Sequence, residues 1–231
     1  MDGGLVTGRY VSTGCESLDR LLGGGFEFGR VSLVYGEAST GKTALALSLA
    51  SSFLRLEPIC RSYYVDADGK LSTDRLMQIV DGSLLERLFV WRPRSFKEQG
   101  ELLERLVMLS GKRSQIIVDS ITSLYRLEAG GFDAPFLLNK GLNRQLGFLA
   151  EAAKAKGSQI LLTGQVHSVP DSGATRVEMV AERLMRYWSD TVLRLEAASI
   201  PGVRRAVMEK PQVLKNECMF RLTDCGVGEV G

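Results

Sequence analysis

Short runs of apolar residues alternate along this chain with stretches in which apolar residues recur every three or four positions. The runs predict strands over 31–35, 62–66, 88–91, 115–119 and 159–163. The stretches between them predict helices. From Lys42 to about Leu56, Leu45, Leu49 and Phe53 share one helical face. Further helices are expected over 72–80, 96–109 and 135–156. Nearer the start, Thr13 and Glu16 have the spacing of a capping box, which would open a short helix through Leu18, Leu21 and Leu22. Gly23-Gly24-Gly25 then stops it.

Ile116, Ile117 and Val118 are apolar in succession, as suits a parallel strand covered on both faces. After Thr163 the pattern changes. Three strand-like runs, 191–195, 204–209 and 219–222, have short connections. These favour antiparallel pairing, because a parallel crossover needs a dozen or more residues. The expected fold class is α/β, a mainly parallel twisted sheet flanked by helices with an antiparallel C-terminal extension. No repeat, biased tract or Pro- or Ser-rich linker divides the 231 residues, so 1–231 reads as a single domain.

Composition narrows the chemistry mainly by exclusion. The chain is 45% hydrophobic and 24% charged, the balance of a globular domain. Its net charge of +2 is too small to argue for nucleic acid by itself. One histidine, His167, argues against a histidine metal site or a Ser–His triad. Cys15, Cys60, Cys218 and Cys225 form no C-x-x-C pair or zinc spacing and read as reduced thiols. No apolar run approaches the roughly 20 residues of a membrane span, and no signal-peptide pattern is present. The expectation is a cytoplasmic protein without a membrane partner.

The segment Gly36-Glu37-Ala38-Ser39-Thr40-Gly41-Lys42-Thr43, followed by Ala44, fits G-x-x-x-x-G-K-[ST] at every fixed position. It lies between a predicted strand and a predicted helix, as that phosphate-binding loop requires. Glycines let the backbone turn its N–H groups towards phosphate oxygens, and the helix N-terminus adds partial positive charge. Lys42 would reach the β- and γ-phosphates of ATP, and the Thr43 hydroxyl would ligate Mg2+. Asp119, at the end of the run Ile116-Ile117-Val118, can hold the metal from a second direction.

Beyond these two anchors the chain resembles the RecA/RadA recombinase family, and within it the archaeal RadB subgroup. The resemblance spans nearly the whole chain. It rests on Thr13-Gly14, Leu18-Asp19 and Leu21-Leu22-Gly23-Gly24-Gly25 near the start, and on Tyr64-Val65-Asp66 with Gly69 and Arg75-Leu76. It continues through Ser95-Phe96-Lys97-Glu98-Gln99, Asp119-Ser120-Ile121-Thr122 with Tyr125-Arg126, and Gly164-Gln165-Val166-His167. The family implies a catalytic set of Lys42, Asp68, Asp119 and Gln165. Asp68 stands where a glutamate orients the attacking water, and Gln165 where a glutamine senses the γ-phosphate. Arg75 matches an arginine that packs on adenine. Pro211 lies near where a neighbouring subunit contacts that base. Segments 127–135 and 168–180 fall where two DNA-facing loops occur. Plainer readings stand beside these: Asp68-Gly69 as a turn, Arg75 as a solvated helix residue, Gln165 as a strand-end hydrogen bonder, and His167 as an ordinary loop residue.

Departures from the family shape the functional expectation. The resemblance begins almost at the ATPase core, without an N-terminal DNA-binding domain or a Phe-x-x-Ala polymerisation linker. This implies at most self-association without long filaments. Asp68 is about one methylene shorter than the family glutamate, roughly 1.5 Å less reach, and a misplacement of about 1 Å can cost ~10²-fold in rate. Slow hydrolysis is expected. Tyr187 replaces a histidine that touches ATP across subunits. The second DNA-facing segment carries Asp171 and Glu178 beside Arg176, so single-stranded DNA binding should be weak, with Lys140, Arg144 and Arg176 as candidate contacts. The resulting expectation is an accessory factor in recombinational repair that modulates the main recombinase RadA. An active strand-exchange ATPase and a KaiC-like signalling ATPase are the alternatives.

Overall fold

The computed structural model describes residues 8–130, 136–171, 174–212 and 216–231. A small ribbon comes first. Strands β1 (Tyr10–Val11) and β2 (Phe26–Glu27) pair antiparallel around helix α1 (Glu16–Leu21). The chain then alternates: β3 (Val31–Gly36), α2 (Lys42–Leu56), β4 (Ser62–Asp66), α3 (Thr73–Ile79), a 3-10 turn at Gly82–Arg87, β5 (Leu88–Trp91) and α4 (Phe96–Leu109). It continues with β6 (Gln115–Asp119), α5 (Ser123–Ala129), α6 (Phe136–Lys156) and β7 (Gln159–Gly164). A hairpin of β8 (Val166–Asp171) and β9 (Ala174–Met179) leads to α7 (Glu182–Trp188). Strands β10 (Thr191–Ala197), β11 (Val203–Lys210), β12 (Glu217–Thr223) and β13 (Gly226–Gly228) follow.

Nine strands form one sheet in the order β13-β12-β11-β10-β3-β7-β6-β4-β5. The pairings from β10 through β3, β7, β6 and β4 to β5 are parallel. Those among β10, β11, β12 and β13 are antiparallel. The expected class and its C-terminal extension are therefore both present. Because side chains alternate across a strand, each central strand feeds two cores. Val31, Leu33, Ile116, Val118, Ile160 and Leu162 face α4 and α6, whose Leu103, Leu106, Leu142, Leu146 and Leu149 cover them. Val34, Tyr64, Ile117 and Leu161 face α2, where Leu45, Leu49 and Phe53 are fully buried. Each such burial contributes about 1.5–3 kcal/mol. Helix α2 is thereby held with its N-terminus near the C-terminal end of β3, which fixes the loop between them.

Three sequence expectations change. The capping box is not formed. Gly14 is left-handed (φ 85°), which makes Cys15 the N-cap of α1. Thr13 turns its N–H and hydroxyl to Asp19 Oδ1, at 2.8 and 2.7 Å. The free N–H of Ser17 is taken instead by Glu229 Oε1 at 2.7 Å, from 212 residues away. Three hydrogen bonds, led by that of the Ser17 hydroxyl, hold the Glu229 carboxyl down at about 2. The second DNA-facing segment is for the most part not an irregular loop, because β8 and β9 pair over Val166↔Met179 to Asp171↔Ala174. Helices α5 and α7 were not anticipated, being only seven residues each.

Candidate nucleotide site

The loop between β3 and α2 has the geometry its glycines predict. A Cβ on Gly36 (φ 154°) would lie 2.2 Å from the Leu195 carbonyl oxygen on β10. Gly41 is left-handed (φ 99°), and its Cβ would lie 2.6 Å from Leu222. At Gly36 a side chain would have to move the neighbouring strand β10, and at Gly41 the left-handed backbone disfavours any residue with a Cβ. The Thr40 hydroxyl donates to the Glu37 carbonyl at 2.9 Å and closes the loop on itself. Lys42 Nζ donates to the carbonyls of Gly36 and Glu37, at 2.8 and 2.6 Å. Burial pushes the Lys42 amine below its ordinary value, against the pull of Asp119, Asp68 and Glu37. An ammonium group held only by carbonyls, with burial working against its charge, is suited to taking an anionic partner. Ala44 is buried behind it.

Asp119 is the centre of the site. Its Oδ2 accepts the Thr43 hydroxyl and the Tyr64 hydroxyl, both at 2.7 Å. Its Oδ1 accepts the Thr163 hydroxyl at 2.5 Å. Burial, reinforced by Asp119, raises the Tyr64 phenol well above its ordinary value, so it stays protonated and donates. Strands β4 and β7 and helix α2 thus each aim a hydroxyl at the one carboxylate that ends β6, beside the loop. Among the described residues no group of three or more His, Cys, Asp or Glu could hold a metal ion. Thr43 and Asp119 offer two oxygens. A hard cation needs about six, so it would draw the rest from phosphate and water. The donor set fits magnesium with a nucleoside triphosphate.

Asp68 lies in the loop after β4. Asp66 shapes that loop by accepting the N–H groups of Lys70 and Leu71, at 3.2 and 3.1 Å, and Arg92 Nε at 2.9 Å. The backbone N–H groups of Ala67 and Asp68 donate to the Asp119 carbonyl, at 2.8 and 3.4 Å. Gln165 Nε2 donates to both Asp68 oxygens, at 3.2 and 3.3 Å. Its N–H donates to the Thr122 hydroxyl at 3.1 Å, and its carbonyl accepts Val180 N–H at 3.0 Å. Gln165 therefore ties the base of the β8–β9 hairpin to the carboxylate beside the phosphate loop. Lys42, Thr43, Asp68, Asp119 and Gln165 form one cluster.

Other predicted residues stand apart from it. The Arg75 guanidinium donates to the carbonyls of Thr223 and Asp224, at 3.1 and 2.9 Å, and so is not simply solvated. Leu222, the adjoining residue, touches Gly41, which puts Arg75 at the border of the loop. Lys140 is exposed near the start of α6. Arg144 pairs with Glu104 at 3.1 Å and lies over the Phe148 ring. Arg176 falls on β9, with its side chain outside the described residues, as are residues 131–135 of the first DNA-facing segment. Tyr187 is exposed and packs edge-on against Trp188. Pro211 lines a separate cleft with Tyr10 and Leu22. Sequence reasoning missed Tyr64 and Thr163 as partners of Asp119. The available signal was a hydroxyl at or near the end of each strand flanking Asp119.

The model of the Rad51 family matches residues 8–230. The chain belongs to the Rad51 family. Its relatives include the DNA repair and recombination protein RadB of Thermococcus onnurineus, 35% identical over 229 residues, covering 95% of this chain and 97% of the relative. The protein of the same name from Methanothermobacter thermautotrophicus is 34% identical over 204 residues, covering 84% of this chain and 85% of the relative. A crystal structure of the RadB recombinase superposes with a TM-score of 0.79 at 33% identity, covering 96% of this chain and all of the other. The resemblance to the RecA/RadA recombinases and their RadB subgroup is borne out, as is the RecA-like fold.

Proposed function

We propose that this chain is a DNA repair and recombination protein of the RadB type, in which ATP binding acts as a switch. Lys42 and the loop N–H groups hold the phosphates, and Thr43 and Asp119 hold magnesium. When bound, magnesium neutralises charge on the phosphate oxygens. Asp68 serves as the base that orients water, and its short side chain keeps hydrolysis slow. Single-stranded DNA is contacted weakly near the β8–β9 hairpin, and the chain works by modulating the organism's main recombinase, RadA. The RadB names of the relatives support the pathway.

The observation that carries the switch is the Gln165 amide spanning both oxygens of Asp68 while Gln165 also ends the hairpin. A group that exchanges Asp68 for a phosphate oxygen would carry the hairpin base with it, which is how nucleotide switches convert local contacts into segment ordering. The test is to load the purified chain and RadA together on single-stranded DNA with ADP or a non-hydrolysable ATP analogue. Limited proteolysis of the hairpin is followed in parallel. The expected result is nucleotide-dependent loading of RadA and different cleavage in the two states. Identical cleavage would remove the switch. Robust strand exchange by this chain alone would replace the accessory role with that of an active recombinase.

A further inference from the structure

The C-terminal strands do more than extend the sheet, because they frame the phosphate loop from outside. Leu195 on β10 touches Gly36, and Leu222 on β12 touches Gly41. Between them, Arg204 on β11 reaches over β10 to the loop crest. Its cross-strand neighbour is Ala197, whose small side chain leaves the path clear. Arg204 Nε and Nη2 both donate to the Ser39 carbonyl, at 3.2 and 3.0 Å, and Nη1 donates to the Val203 carbonyl at 2.8 Å. Ser39 is left-handed (φ 63°), a conformation uncommon for a residue with a Cβ. A two-pronged grip on its carbonyl holds it there.

The charge on Arg204 is also distinctive. Nearby Arg194 pairs with Glu209 and Glu196, and Arg205 with Glu196 and Glu217. Arg204 is half-buried and forms no ion pair among the described residues. It is bound to backbone carbonyls alone, at the crest of a loop built to receive anions. A partly desolvated guanidinium without a carboxylate gains from an anion brought near it.

We propose that Arg204 is a positioning residue of the nucleotide site. It fixes the crest of the phosphate loop through the Ser39 carbonyl and supplies a positive charge that the phosphates compensate. This inference rests on the nucleotide-binding reading above. The test uses the full chain as wild type, Lys42→Ala, Arg204→Ala and Arg204→Lys. MgATP affinity is measured at about 0.1 M and about 1 M salt, where the screening length falls from ~10 Å to ~3 Å, with thermal melting as a control.

Arg204→Ala is expected to raise Kd about tenfold at the lower salt, with an unchanged melting temperature. The defect shrinks at the higher salt, because a screened charge is missed less. Arg204→Lys restores the charge but not the double grip, and recovers part of the low-salt affinity. If Arg204→Ala binds as wild type does, the proposal is overturned. It is equally overturned if the defect is the same at both salts and lysine recovers nothing, since the side chain then only supports local structure. Wild type and Lys42→Ala binding equally poorly would instead overturn the nucleotide reading, and this inference with it.

Discussion

The same parallel strands carry a polar cluster at each end, and the two clusters are built on opposite principles. At the N-terminal ends, Ser62, Gln115 and Gln159 are cross-strand neighbours on β4, β6 and β7, all fully buried. The Ser62 hydroxyl donates to Gln115 Oε1 at 2.6 Å, and Gln115 Nε2 donates to Gln159 Oε1 at 2.8 Å. The chain of hydrogen bonds turns inward and contains no formal charge. At the C-terminal ends, Asp119 gathers hydroxyls, Lys42 holds only carbonyls, and both Asp68 oxygens accept the amide of Gln165. The first cluster sets strand register. The second is charged and assembled from contacts that an incoming anion or cation can replace. Buried polarity alone thus gives no candidate site, whereas buried charge with exchangeable partners gives one.

This contrast can be broken most easily at Lys42. Lys42→Ala should weaken MgATP binding by about 100-fold or more, about 2.8 kcal/mol at 1.4 kcal/mol per tenfold. Titration by calorimetry checks this, and unchanged affinity would sink the phosphate-loop assignment. The opposite end should answer differently. Gln115→Leu leaves Ser62 and Gln159 without their shared partner, at a cost of about 1–3 kcal/mol in stability. Urea unfolding should report that loss while nucleotide affinity stays at the wild-type value. A fall in affinity would mean the two ends are coupled. The smallest effect belongs to Asp68→Glu, which lengthens the carboxylate by one methylene. ATP turnover should rise by up to about tenfold, as reach to within about 2.6–3.2 Å of the water is regained. A flat rate would show that the short side chain does not limit hydrolysis.

Much of the sheet was legible in the sequence because its strands are buried on both faces. Runs such as Ser62–Asp66 and Gln115–Asp119, buried at every position, end where their strands end. The β8–β9 hairpin was harder to see. Its apolar residues Val166, Val169, Val177 and Met179 are few and do not alternate regularly along β8, and most of it lies in a segment expected to be a loop. The phosphate loop and Asp119 were readable because their chemistry is written in consecutive residues. The Gln165–Asp68 contact joins residues 97 apart, and the Arg204–Ser39 contact joins residues 165 apart. Both depend on strand order, the first on β7 and β4 flanking β6 and the second on β10 lying between β11 and β3, which no local pattern specifies. The Thr13–Glu16 pair failed for a local reason, because the left-handed Gly14 moved the helix start by two residues.

The framing of the loop by late strands also bears on how the chain is made. Val227 N–H donates to the Ser48 hydroxyl on the helix that follows the loop, and 179 residues separate the two. A Cβ on Gly226 would lie 2.1 Å from the Ser48 hydroxyl oxygen, so the last strand sits directly on that helix. During translation the loop and its helix leave the ribosome early, while Leu195, Arg204, Leu222 and Val227 emerge much later. A nascent chain halfway through synthesis therefore carries the phosphate-binding sequence without its frame, and the pocket takes its final shape only as the closing strands dock.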